Sequence, residues 1–228
     1  MNGETYSRLD YHSQFMTLRG VADGLHYALR FIPYLLTLPT RKTQPASCGA
    51  AYDLGSWRHA PVTFDQLRIE RHLSEISLKD RRILHVGVGS SRVAAKFHRQ
   101  CHLIDGITVM EDEVSHAESL GIPNYRVYLM DKYGDSILGL PNKYHYILDN
   151  NPSSYAPHRD AMQTMFTRYM DLLEDGGAVV TDTLGMRHHR PFAFPISDED
   201  LMAFERKLPV KYVKLNRTVR ALIKNANA

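Results

Sequence analysis

Between Arg82 and Asp112 the chain reads RILHVGVGSSRVAAKFHRQCHLIDGITVMED, and the order of residue types in this stretch admits few folds. Ile83, Leu84, Val86 and Val88 form an apolar run rich in β-branched residues, long enough for a buried strand and too short for a helix. Gly87 and Gly89 break that run. They open positive φ to the backbone and leave room where a Cβ would obstruct a ligand. Ser90 and Ser91 are N-cap candidates for the next segment, in which Val93, Ala94, Ala95 and Phe97 give a helix its apolar face. A second strand is predicted over Asp105 to Met110. Strand, glycine turn, helix and strand make one unit, and the free N–H groups at the start of its helix point at a polar or anionic ligand group.

The rest of the chain extends this alternation. Phe15, Leu18, Val21, Leu25, Leu29, Ile32 and Leu36 recur three or four apart, which predicts amphipathic helices over 13–38, bent or ended by Pro33 and Pro39. Residues 40–57 read as a loop, with Trp57 at its end as an edge-of-core anchor. A helix is expected over Thr63 to Ile76, capped by Thr63, and another over Glu111 to Leu120, stopped by Gly121. Strands are predicted at Tyr125–Met130 and Lys143–Leu148, and a helix at Ala156–Leu173. A glycine turn, 174–177, leads to a strand at Ala178–Thr181. Ser197 caps a further helix, and Val210–Leu215 with Val219–Ile223 form a terminal hairpin. In a doubly wound sheet ligands lie beyond the carboxyl ends of the strands, so the DNNPSSY loop from Asp149 to Tyr155 is the place to look for chemistry.

Composition narrows the partners. The 228 residues carry a formal charge of +3 with no run of like charges, which argues against a nucleic-acid surface. Cys48 and Cys101 have neither zinc nor redox spacing, and no carboxylate triad offers a metal site. No apolar run is long enough to span a bilayer, and the N-terminus lacks the pattern of a signal peptide. The expectation is a cytoplasmic protein with neither metal nor membrane partner.

The pair HVGVG and GITVMEDEVSHAESLGI resembles the class I S-adenosylmethionine-dependent methyltransferases of the small-molecule type. Their first motif is acidic-x-Gly-x-Gly, and in one variant a GVTLSxxQ pattern replaces the ribose-binding acid. The resemblance implies an α/β, Rossmann-like seven-stranded sheet with a terminal antiparallel hairpin and N-terminal helices. Residues 1–77 would be a helical lid or extension, and 78–228 the domain that binds S-adenosylmethionine. The implied cofactor-binding residues are His85, Gly87, Gly89, Ser90, Thr108, Glu113, Asp131, Asp149 and Asn150. Thr108 and Glu113 would meet the ribose, and Asp131 the adenine amino group. His85 stands where the family has an acid that helps hold the methionine amino group, a task open only to a neutral imidazole; Ser91 replaces the family's small residue. The NPSSY string loosely resembles the [DN]PPY motif of amino methyltransferases; near the site it marks, Tyr155 and His158 are the candidate catalytic residues, with Asp149 beside them and His188 and His189 able to reach in.

Methyl transfer from a sulfonium is an in-line displacement that chiefly requires alignment and exclusion of water. The expected acceptor is a small molecule, methylated on O or N, with a homodimer left open. Three alternatives share the glycine turn: transfer of an aminoalkyl group from the same cofactor, RNA methylation, and a non-catalytic binding protein.

Overall fold

The computed structural model describes residues 44–45, 51–52, 57–59, 62–154, 156, 158–187 and 195–226. The helices expected over 13–38, together with Cys48, Tyr155, His188 and His189, lie outside the described residues. The main sheet holds β1 (Arg82–Val86), β2 (Leu103–Thr108), β3 (Tyr125–Leu129), β4 (Tyr144–Leu148), β5 (Leu173–Asp182), β6 (Val210–Lys214) and β7 (Val219–Lys224). Its order is β3-β2-β1-β4-β5-β7-β6, with β1 to β5 parallel and β7 antiparallel to both neighbours. This is the predicted sheet with its terminal hairpin. A two-residue antiparallel ladder, Gln44–Pro45 with Ala51–Tyr52, interrupts the segment read as a loop.

The helices are α1 (Phe64–Leu73), α2 (Arg92–Phe97), α3 (Glu111–Ser119), α4 (Arg159–Leu172), α5 (Thr183–Met186) and α6 (Asp198–Phe204), with a 3-10 turn at Asp135–Gly139. Alternate strand residues serve opposite faces, because side chains on a strand have a period of two. Ile83 joins Ile69 and Leu73 of α1, Phe97 of α2 and Ala117 of α3. Leu84 joins Ile137 and the α4 residues Met165, Phe166 and Tyr169. A parallel strand covered on both faces is apolar throughout, which is why β1 reads as a continuous run.

Three local expectations change. Thr63 precedes α1 but does not cap it with its side chain, and its hydroxyl is buried without a hydrogen bond. β1 stops at Val86, short of Val88, which is buried beyond the strand's end and fills the space left by Gly106. A Cβ on Gly106 would lie 2.4 Å from Val88 Cγ1. The glycine turn after α4 lies inside β5, as a bulge between the Tyr144–Leu173 and Tyr146–Ala178 pairings, with Gly176 at φ +74°.

Candidate functional site

At the carboxyl edge of the sheet the order reverses between β1 and β4, and the glycine turn lies at that reversal. Gly87 (φ +74°) and Gly89 (φ +49°) both take the left-handed backbone, and Gly87 N–H donates to Ile107 O at 2.9 Å. A Cβ built on Gly87 would meet nothing within 4 Å, so the turn faces open space there. On Gly89 it would touch Trp57, whose Cβ lies 3.4 Å away. Ser90 sits half-buried in the turn. Ser91 does not cap α2 with its side chain: at φ +57° it is buried, and its hydroxyl accepts from Tyr125 OH at 3.0 Å. His85, one strand step below Gly87, is 3% exposed, and its Nδ1 makes no hydrogen bond.

The end of β2 departs from expectation. Thr108 and Glu113 do not both face outward; the Thr108 hydroxyl donates to Glu113 Oε2 at 2.6 Å and accepts from Met110 N–H at 3.2 Å. Glu113 also accepts from Trp57 N–H at 2.8 Å and Gly89 N–H at 3.3 Å. A buried carboxylate must be surrounded by donors, and these were the nearest. Burial still raises its pKa, against the three hydrogen bonds that lower it, and the Asp112 charge raises it further. The carboxylate thus ties the glycine turn to the start of α3 and to residue 57. Of its roughly four acceptor positions, three are used, one on Oε1 and two on Oε2.

Beyond β3 and β4 a second network holds the DNNPSS loop. Asp131 remains half-buried at the end of β3, its Oδ1 accepting from Tyr133 N–H at 2.9 Å. Asp149, expected to reach the cofactor, instead turns beneath the sheet edge. Its oxygens accept from Lys132 Nζ at 3.2 and 3.1 Å and from Tyr169 OH at 2.8 Å. Lys132 Nζ also donates to Asn151 O at 2.7 Å, and Tyr133 OH to Pro152 O and Ser154 O, each at 2.8 Å. Burial lowers the Lys132 pKa while Asp149 opposes that shift, and burial with Asp149 raises that of Tyr169. His158, a candidate base, has a different task. Its Nδ1 accepts from Ala161 N–H at 3.1 Å, which caps α4 from an exposed position.

Asn150 faces the other way, toward α1, and donates to Asp65 Oδ2 at 2.8 Å. Its carbonyl lies against Gly185, where an added Cβ would stand 1.6 Å from Asn150 O. Asp182, at the end of β5, caps α5 through Leu184 N–H at 2.8 Å and pairs with Arg68 at 3.2 Å. Asp65, Lys132 and Asp182 were not anticipated. Asp65 shares the i, i+4, i+8 stripe of Ile69 and Leu73, and a carboxylate within an apolar stripe was the available signal.

Burial lowers the His85 pKa from 6.5 to about 4, so the imidazole is neutral at pH 7. The unfolded chain titrates near 6.5 and therefore binds more protons than the fold between the two values. Stability from this group falls as pH drops through that window, by about 3 kcal/mol in all. Asp182 acts in reverse: burial raises its pKa from 3.8 to about 6, so protonation relieves the fold over much of the same range. Comparing His85→Asn with wild type isolates the histidine. The wild type's stability relative to the variant is expected to decline by about 3 kcal/mol from pH 7 to 4 in urea titrations; a constant difference would mean that His85 is hydrated.

No protein-family model matches the sequence, and no curated protein matches it. Solved structures do match its fold. The N-methyltransferase NodS from Bradyrhizobium japonicum aligns at TM-score 0.55 with 14% identity, over 73% of this chain and 100% of its own. Magnesium protoporphyrin IX methyltransferase from Synechocystis, with bound S-adenosylmethionine, aligns at 0.51 with 12% identity, over 73% and 86%. A TehB-like methyltransferase from Corynebacterium glutamicum aligns at 0.52 with 14% identity, over 69% and 86%. The chain shares the fold of the class I S-adenosylmethionine-dependent methyltransferases.

Proposed function

From that fold, we propose that the protein is an S-adenosylmethionine-dependent methyltransferase acting on a small-molecule acceptor. The supporting observation is Gly87, whose Cα faces open space at the reversal point of the sheet. The buried, unpartnered Nδ1 of His85 beneath it is a second sign that a ligand belongs there. When bound, the cofactor supplies an electrophilic methyl on a sulfonium. The chain has to hold and align. The glycine turn leaves room for the ligand, Glu113 offers its remaining acceptor position to a sugar hydroxyl, and Asp131 offers a carboxylate to an exocyclic amine. The loop 149–154, fixed from below by Lys132 and Tyr133, sets where an acceptor can rest. No base is assigned, since His158 caps a helix and in-line transfer needs one only for an acceptor that must lose a proton.

A small acceptor fits the charge of +3 without basic runs. Magnesium protoporphyrin IX methyltransferase, by its name, also acts on a small molecule. Among the described residues no helix is long and apolar enough to cross a membrane, and none of the described His, Cys, Asp and Glu residues form a metal-holding group. We place the protein's work in the cytoplasm.

Isothermal titration with S-adenosylmethionine tests the reading. Wild type is expected to bind one equivalent. Gly87→Ala is expected to lose at least about tenfold in affinity while the fold loses only about 1–2 kcal/mol, the cost of one left-handed residue, because the new methyl meets no protein atom. Undiminished affinity in the variant would place the cofactor elsewhere. An acceptor screen then separates the reactions: methyl transfer releases S-adenosylhomocysteine, and aminoalkyl transfer releases methylthioadenosine.

A further inference from the structure

The methionine arm of the cofactor carries an ammonium group, and this chain lacks the β1 acid that would meet it. In that place stands His85, buried and neutral. Negative charge is available nearby. His85 pairs in register with Leu148, and Leu148 with Val180. Two residues further along each chain segment come Gly87, Asn150 and Asp182, so these stand in one row on the face of the sheet that α1 covers. Asn150 is bonded to Asp65 of α1, and Asp65 lies close enough to Asp182 for its charge to raise the Asp182 pKa.

Among the described residues this group is short of positive charge. Asp65 is 5% exposed and Asp182 fully buried. Arg68 pairs with Asp182, whereas the only hydrogen bond to Asp65 from a described residue is that of the uncharged Asn150. Asp182 Oδ2 makes no hydrogen bond; the Thr218 side chain lies near enough to lower its pKa but not in bonding geometry. His85 Nδ1, on the same face, is also unpartnered. A buried carboxylate without a countercharge is costly, and an unpartnered carboxylate oxygen together with an unpartnered imidazole nitrogen on one face of the sheet marks the place of a missing polar partner. An ammonium supplies both a charge and three N–H donors.

We infer that Asp65, bridged to β4 by Asn150 and backed by Asp182, receives the α-amino group of the cofactor in place of an acid at position 85. The inference rests on the S-adenosylmethionine reading and extends it to residues of α1 and β5. It also explains why the chain tolerates a histidine in the strand that ends at the glycine turn.

Titration calorimetry with two ligands tests it: S-adenosylmethionine, and 5′-methylthioadenosine, which lacks the amino-acid arm. Asp65→Asn is expected to weaken S-adenosylmethionine binding about 10- to 100-fold, the range of one charge-assisted hydrogen bond, and to leave methylthioadenosine unchanged. Adding His85→Asp to that variant is expected to restore part of the preference. An unchanged ratio between the two ligands overturns the proposal alone. Equal loss of both, with a lowered melting temperature, marks Asp65 as structural and also overturns it. Failure of wild type to bind either ligand overturns the cofactor reading, and this proposal with it. Circular dichroism checks folding, and Asp65→Ser replaces the amide variant if that does not fold.

Discussion

Gly185→Ala is expected to cost at least about 3 kcal/mol of stability and to abolish cofactor binding, the largest effect of an added methyl group among the described glycines. The new Cβ would stand 1.6 Å from Asn150 O and 2.7 Å from its carbonyl carbon. Neither position can be occupied, so the backbone after β4 must move away from α5. Asn150 would then leave Asp65, and the row beside Gly87 would lose its order. Gly185 does not have positive φ, so the effect is one of space and not of backbone strain. Thermal melts should show a fall of roughly 6–12 °C, taking about 2–4 °C per kcal/mol for a chain of this size. A shift under about 2 °C would show that the two loops can separate freely.

Lys132→Met should destabilise by about 3–5 kcal/mol, because it leaves Asp149 charged and buried without its cation. Tyr169 OH would remain as a donor, but a hydroxyl brings no charge. The same substitution removes the bond to Asn151 O, which frees the acceptor loop at one of its three anchored carbonyls. Because burial of Lys132 opposes its charge, the intact pair contributes little net stability. The double variant Lys132→Met, Asp149→Asn should therefore recover most of the loss. Urea denaturation of both single variants and the double variant measures the coupling. Purely additive losses would mean that the two side chains act independently.

The sheet was legible because a parallel strand covered on both faces has to be apolar, and each of β1 to β5 is punctuated by glycine, proline or polar residues. Gly87 and Gly89 were legible for a different, equally local reason: few residues other than glycine tolerate their φ. What the side chains do at the edge was not. Glu113 is expected beside a sugar from its place after β2, but its bond to Trp57 N–H joins residues 56 positions apart, and no local pattern encodes that. Asp149 was read as facing the ligand because it ends a strand. Its direction depends on Lys132 and Tyr169, one in the loop after β3 and one on α4. His158 had the composition of a base and the position of a helix cap, and position decided. Asp182 closes the alternate phase of Ala178 and Val180 at the end of β5, a polar residue on a buried face whose partner, Arg68, comes 114 residues earlier.

Crystals soaked with S-adenosylhomocysteine give the most direct reading of where a ligand lies. The nucleoside should be found over the tips of β1 and β2, with its sugar beside Glu113 and its amino-acid arm passing Gly87 toward Asp65. Ligand density elsewhere on the molecule, or a soaked crystal whose Gly87 surface holds only solvent at saturating ligand, would contradict the account.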